Sequence, residues 1–293
     1  MKELKQIISF IFHHPLAKKH KLKAIWRFLS WQIQCRLSTK LYEIRFINDI
    51  HFYAKKGLNG ITGNIYVGLH EFEDMAFIIH FLKEKDTFFD VGANVGVYSL
   101  LASGVANAKS IAFEPSKKTI DLLSKNVNLN KLEHLVDCMP VGVGKEKATL
   151  WFTKGEDTTN HITKKKETDS EIIQVISLDS LFPIFHPCVI KIDVEGFETE
   201  VLKGAENILD SKDLKAIIIE LNGSGLRYGY HDIEIHEKLL RFGFAPYSYD
   251  PFKRSVTLLD IFGAHNTLYL RDVNFVKNRV RNAPAFNIFN ENI

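Results

Sequence analysis

The stretch "FFDVGANVGVYSL" (residues 88–100) runs from two aromatics through an acid and a glycine turn into a helix-like segment. An apolar strand that ends in a glycine turn and opens a helix is the first unit of a nucleotide-binding α/β fold. Dinucleotide sites space their glycines as G-x-G-x-x-G, so that a pyrophosphate can reach the helix N-terminus. Here three residues separate Gly92 from Gly96, and Asn94 and Val97 stand where the other glycines belong. The diphosphate cradle is incomplete. Asp90 ends the strand, where a carboxylate would repel a diphosphate and attract a ligand bearing an ammonium or sulfonium group.

Downstream of this turn, strands and helices alternate. "SIAFEP" (110–115) reads as a strand, and Ser116 stands as N-cap to the helix "KKTIDLLSKNVNLN" (117–130). "LVDCMPVGV" (135–143), "ATLWF" (148–152), "CVIKIDV" (188–194) and "AIIIELN" (216–222) are strands. "ETEVLKGAENIL" (198–209) and "HDIEIHEKLLRFG" (231–243) are helices, the latter stopped at Gly243. The strands at Val189–Ile192 and Ile217–Ile219 lack polar alternation, as in a parallel sheet covered on both faces. The expectation is a doubly wound, mostly parallel α/β domain over residues 64–275. A polar segment, residues 154–171, reads as a long mobile loop, and residues 276–293 as a C-terminal tail.

Residues 1–63 read as an extension. "NG" at Asn59-Gly60, amid β-rich residues 44–67, signals a hairpin. Residues 16–38 carry Leu22, Trp26, Leu29, Ile33 and Leu37 at helical spacing, with Lys18, Lys19, Lys21, Lys23 and Arg27 among them. The stripe suits either an anionic membrane surface or docking on the domain or a second copy. Residues 1–60 hold 12 Lys and Arg against Glu3, Glu43 and Asp49, a surplus of +9 in a chain whose net charge is +3. The body is therefore mildly acidic, which disfavours nucleic acid as a partner. "IISFIF" is too short to span a bilayer and lacks a cleavage signal. Cys35, Cys138 and Cys188 are odd in number and in no metal spacing, the pattern of reduced thiols in a cytoplasmic protein. The expected location is the cytoplasm, with peripheral contact at the inner membrane face left open through residues 1–40. Homo-oligomerisation is also left open.

Glu114 falls 24 residues after Asp90, at the tip of the second strand, where a carboxylate can accept hydrogen bonds from both ribose hydroxyls. An acid, a glycine turn and a second acid describe adenosyl binding without a diphosphate. S-adenosyl-L-methionine fits. At this point "DVGANVGVYS" (90–99), "FEPSKKTIDLLSKNVNLN" (113–130) and "IKIDVEGFETEVLKGAENIL" (190–209) resemble the three main blocks of the FkbM family of S-adenosylmethionine-dependent methyltransferases. "LDSL" (178–181) and "AIIIELN" match in order and spacing. The resemblance covers about residues 64–275. It implies a class I, Rossmann-like methyltransferase sheet, with the cofactor across Asp90, Gly92, Asn94 and Gly96 and against Glu114 and Pro115. It further implies O-methylation of a saccharide, glycoconjugate or other small-molecule acceptor.

Methyl transfer to a hydroxyl needs a proton acceptor. Asp193 at a strand end is the first candidate, and it also falls on the rim of the cofactor pocket. Glu195 at the next helix start and His161 in the polar segment are further candidates. Each has a bland alternative: helix-start acids that complement the dipole, and a solvated loop histidine. Asn94 is also a residue that tolerates positive φ in a turn. Asp193, Glu220 and Asn222 could together hold Mg²⁺ through oxygen ligands. "LNGSGLRYGYHD" (221–232), with Arg227, Tyr228, Tyr230 and His231, reads as an acceptor-binding lid. Two rival readings are an NAD-dependent oxidoreductase, opposed by Asn94 and Val97, and a non-catalytic membrane-associated protein.

Overall fold

The structure is a computed structural model that describes residues 2–155, 159–163, 166 and 168–293. Two helices, α1 (Lys2–His13) and α2 (Lys21–Leu37), lead into an antiparallel hairpin of β1 (Tyr42–Arg45) and β2 (His51–Ala54). The short helices α3 (Asn59–Val67) and α4 (Phe72–Phe81) follow. The main sheet then begins with β3 (Thr87–Val91), β4 (Lys109–Phe113) and β5 (Val136–Met139), connected by α5 (Val97–Leu100), which runs on through a π-helical turn, and by α6 (Lys117–Leu129). A small sheet interrupts: β6 (Gly142–Val143), β7 (Ala148–Thr153), β8 (Ile162–Thr163) and β9 (Ser170–Ile176). The main sheet resumes with β10 (Val189–Ile192), α7 (Glu198–Lys203), α8 (Glu206–Asp210), β11 (Ala216–Glu220) and α9 (Asp232–Arg241). It ends with β12 (Ala245–Asp250), β13 (Ser255–Leu258) and β14 (Asn266–Leu270). Helix α10 (Val273–Arg281) and the hairpin β15 (Asn287–Ile288) and β16 (Glu291–Asn292) close the chain.

The eight strands lie in the order β13-β12-β14-β11-β10-β3-β4-β5. Strands β5, β4, β3, β10 and β11 are parallel, and β14 enters antiparallel between β11 and β12. This is the class I methyltransferase sheet. Side chains alternate between its two faces. Phe88, Val189, Ala216 and Ile218 join the core under α2, α4, α6 and α10, while Phe89, Val91, Ile190, Ile192, Ile217 and Ile219 join a second core under α7 to α9. The chain leaves β3 toward β4 on one side and returns to β10 on the other. The crevice beyond the carboxyl ends of β3 and β10 is thus the switch point where a ligand belongs.

Several expectations are corrected. Asn59-Gly60 starts α3; the hairpin turn lies at residues 46–50, where Phe46 N–H donates to Ile50 O at 2.7 Å. The helix over 198–209 is split at Gly204, which packs so closely on the Gly144 carbonyl oxygen that a Cβ there would sit 2.1 Å from it. Ser116 occupies the N-cap of α6 but makes no side-chain cap hydrogen bond. The polar segment 154–171 contributes β8 and the start of β9; residues 156–158, 164, 165 and 167 of that expected loop lie outside the described residues. Residues 276–293 do not form a tail. Val276, Val280, Phe286, Ile288 and Ile293 are buried in the same core as α2, and Glu291 pairs with Lys19 at 2.8 Å. In α2 the buried residues are Ala24, Phe28, Trp31 and Cys35, opposite the stripe singled out by spacing. No described helix is long and apolar enough to cross a membrane.

Candidate active site

A cavity of about 420 Å³ lies over the carboxyl ends of β3, β4, β10 and β11. Asp90, Gly92, Asn94, Glu114, Pro115, Asp193, Glu195 and Glu220 all line it, together with Glu71, Tyr98 and Lys191. The turn that forms its floor needs its glycines. Gly92 has φ +81, and a Cβ on it would lie 1.8 Å from the Asp193 carbonyl oxygen. Gly96 has φ +88, and its Cβ would press on Leu123 at 3.0 Å. Asn94 also has positive φ, at 49°, a conformation that Asn tolerates better than most side chains.

The two acids expected at the strand tips are both buried. Asp90 Oδ2 accepts hydrogen bonds from Ser99 N at 3.0 Å and Ser99 Oγ at 2.7 Å, which pins the start of α5. Its Oδ1 is buried with no partner among the described residues. Burial pushes the Asp90 carboxyl up, against the pull of Lys191 and the Ser99 bonds. Glu114 accepts from Ser116 N at 2.9 Å through Oε1 and from Asn94 N at 3.1 Å through Oε2. Burial raises it to about 7, and those two amides work in the opposite direction. Each of its oxygens keeps a lone pair.

The other wall is a charge cluster. Carboxylate oxygens of Asp193, Glu195 and Glu220 lie within 4.8 Å of one another. Lys191, 3% exposed, donates to Asp193 Oδ2 at 2.7 Å. Burial lowers the Lys191 ammonium, but Asp193, Glu71 and Asp90 more than offset this and leave it raised. Burial and the Asp193 charge lift Glu195 to about 7 and Glu220 to about 8. Glu220 Oε2 is buried without a hydrogen-bond partner among the described residues. Glu195 has φ 54 and Gly196 φ 102, so the turn after β10 is left-handed at two successive residues. Glu198 holds that turn: its Oε1 accepts from Val194 N at 3.2 Å and Gly196 N at 3.0 Å.

Three candidates fall outside the cavity: Gly96, whose missing Cβ would face Leu123 in the core, His161 and Asn222. His161 lies between Asn160 and Ile162, which line the cavity, but does not line it itself. Its backbone N–H donates to Thr153 Oγ1 at 2.9 Å and its Nδ1 lies 3.1 Å from Thr159 O. Asn222 is exposed, and its Oδ1 accepts from Ser224 N at 2.9 Å; Glu195 takes its expected place beside Asp193 and Glu220. Sequence reasoning passed over Lys191, Glu198, Tyr98 and Glu71. A lysine inside the apolar run "CVIKIDV" was the available signal, since a strand covered on both faces buries a charge only with a partner. Tyr98 OH donates to Glu71 Oε2 at 2.9 Å, and Asn266 Nδ2 donates to Glu71 Oε1 at 2.7 Å. No single stretch of sequence announces that triad.

A second cavity, about 310 Å³, shares Ile162 and Phe197 with the first. Tyr228, Tyr230, Leu150 and Lys145 line it. Phe197 and Tyr228 meet edge to face at 5.4 Å, and Tyr228 OH donates to Ile162 O at 2.7 Å. Part of the expected lid is therefore a fixed aromatic wall.

Residues 90–246 match the family model described as "Methyltransferase FkbM domain". The chain is 33% identical over 143 residues to hexuronic acid methyltransferase AglP of Haloferax volcanii, covering 48% of this chain and 57% of that protein. It is 27% identical over 171 residues to methyltransferase sdnD of Sordaria araneosa, covering 46% of this chain and 66% of that one. The chain thus spans less than two thirds of either relative. Among solved structures it is similar to methyltransferase FkbM from Methylobacillus flagellatus, at 13% identity and a TM-score of 0.44 over 84% of this chain and 59% of that chain. The match over residues 90–246, more than half of the sequence, begins at the carboxylate of β3 and takes in both acidic walls of the cavity, and by it the chain belongs to the FkbM methyltransferase domain family.

Proposed function

We propose that this protein transfers a methyl group from S-adenosyl-L-methionine to a hydroxyl of a sugar acid or a glycan that carries one. The observation that carries the reading is the pair of buried carboxylates facing one cavity across a glycine turn, with Asp90 Oδ1 left unpartnered. These residues fit the cofactor: Asp90 would hold a cationic group, Glu114 the ribose hydroxyls, and Pro115 and Asn94 the flank of the adenosine. Gly92 keeps the floor clear of a side chain, and Gly96 lets the start of α5 pack on Leu123. Bound there, S-adenosylmethionine would supply an electrophilic methyl.

The acceptor oxygen must be held close to that methyl and lose its proton, and both tasks fall to the acidic wall. Sequence spacing singled out Asp193 as the base. Its Oδ2 is engaged by Lys191, which favours Glu220, with an unpartnered oxygen and a proton affinity close to neutral pH, as the group that takes the proton. In this reading Asp193 sets the field that keeps Glu220 basic. The three carboxylates also suit a hard divalent ion such as Mg²⁺ as a donor set, although Lys191 already compensates one of them. The likeness to a hexuronic acid methyltransferase supports a carboxylate-bearing acceptor, with Lys145 lining the second cavity and Arg227 beside Tyr228 to meet its charge.

The test is transfer of labelled methyl from S-adenosylmethionine to a panel of uronic acid and neutral saccharides. We expect Glu220→Gln to cut turnover by roughly 10²–10⁴ with cofactor affinity nearly unchanged. Asp193→Asn should move the acid limb of the pH–rate profile downward, because Glu220 loses the neighbour that raises it. Activity that vanishes with EDTA and returns with Mg²⁺ would assign the cluster to a metal instead. A folded protein that fails to bind S-adenosylmethionine would remove the proposal altogether.

A further inference from the structure

Helix α2 is apolar on two opposite sides, and only one is used by the fold. Ala24, Phe28, Trp31 and Cys35 are buried in the core. Leu22, Trp26, Leu29, Ile33 and Leu37 face outward, with Leu22 88%, Trp26 70% and Leu37 81% exposed. The spacing places these five on one narrow arc of the helix. Phe12 of α1, also exposed, lies beside Lys21 at the start of the stripe. Isolated exposed leucines are ordinary, but a continuous apolar stripe with an indole at its centre marks a surface that meets something.

The charges around it are of one sign. No Asp or Glu occurs between Glu3 and Glu43. Lys18, Lys21, Lys23, Arg36 and Lys40 are all exposed beside the stripe, and Lys21 Nζ lies 5.3 Å from the Phe12 ring centroid. Arg27 is an exception, turned inward to donate to Tyr66 O at 2.8 Å and to stack on Phe289. A twofold pairing of this face with a second copy would bring lysines against lysines. An anionic lipid surface meets both features at once, since phosphate headgroups pair with the ammonium rim while the stripe enters the boundary of the acyl region.

We infer that α2 is a membrane-surface element, lying in the headgroup plane of an anionic bilayer with Leu22, Trp26, Leu29, Ile33 and Leu37 inserted. The opposite face stays anchored in the protein core, so the helix needs no folding transition on binding. This inference is independent of the methyl-transfer reading.

The experiment is flotation of the full chain with vesicles of phosphatidylcholine alone or mixed with phosphatidylglycerol. Binding is expected to the mixed vesicles only, to weaken with added salt, and to shift the Trp26 emission to the blue. Trp26→Ser with Leu29→Ser should lower partitioning at least about tenfold. Lys18→Glu, Lys21→Glu and Lys23→Glu together should lower it roughly 100-fold. All five positions are exposed, so circular dichroism should be unchanged in both variants. Failure of the parent to bind anionic vesicles at low salt overturns the inference, as does parental binding by both variants. A lipid-independent dimer in sedimentation, lost in the Trp26 and Leu29 variant, would assign the stripe to a second copy and also overturn it.

Discussion

Glu114 is a buried scaffold carboxylate to which the proposed function also gives a ligand contact. Two backbone amides hold it in place, and burial lifts it to about 7 despite them. Donors arriving from ribose hydroxyls favour the ionised form and therefore lower its pKa. By linkage, cofactor affinity should be greatest above pH 7 and fall as pH drops below it, by up to about tenfold per unit. Calorimetric titration of S-adenosylhomocysteine over about pH 5.5–8.5 measures this. Glu114→Gln should bind more weakly and with a flatter profile; an identical slope would assign the titration to Asp90, which burial raises in the same direction. Asp90 and Glu114 were legible in the sequence because each ends a strand, and a strand end is a local signal. Lys191 and Glu220 were harder to place, since what makes them unusual is a charge on the neighbouring strand, Asp90 for Lys191 and Asp193 for Glu220.

At the scale of the element, local patterns failed where tertiary contacts chose between equal options. Helix α2 carries two apolar faces, and periodicity cannot say which of them meets the core. The turn signal at Asn59-Gly60 gave way to a helix whose apolar residues Ile61, Tyr66 and Val67 are buried. The contact at the break between α7 and α8 has the opposite character, because one atom decides which residue fits there. Gly204 packs against the Gly144 carbonyl so closely that a Cβ would overlap it at 2.1 Å. The clash is with backbone at the edge of the small sheet, which has no side chain to move aside. Gly204→Ala should therefore cost about 2–4 kcal/mol of stability, read as a lower urea midpoint with unchanged slope. A midpoint equal to the parent's would mean that the β6–β7 connection yields freely.

For the whole molecule, the acidic cavity sets how stability depends on pH. Glu114, Glu195 and Glu198 are raised to about 7 and Glu220 to about 8, against an ordinary value of 4.5. The folded state therefore holds these protons more tightly than the unfolded chain does. Their contribution is present below pH 4.5 and is lost as pH rises through 7 to 8. His14 and His80 oppose this at lower pH, since burial lowers both to about 4 and the unfolded chain takes up their protons below 6.5. Ligand-free protein should thus show a thermal midpoint that already falls as pH rises from about 5 to 6.5, where two histidines offset only part of four carboxyls, and that falls further from about 6.5 to 8.5. A midpoint that rises over the upper interval would contradict the assignment of these carboxyls. The N-terminal hairpin and the glycine turn are also joined through a single amide side chain. Asn126 Oδ1 accepts from Tyr53 N at 2.7 Å, and its Nδ2 donates to Val95 O at 2.8 Å. A ligand that stills the turn must then be felt in β2 as slower hydrogen exchange at Tyr53. Coupling free energies are reciprocal, so whatever steadies the hairpin tightens the cofactor pocket by the same factor. Asn126 is in that sense a strut between the basic front of the protein and its chemistry, and a load applied at either end is carried to the other.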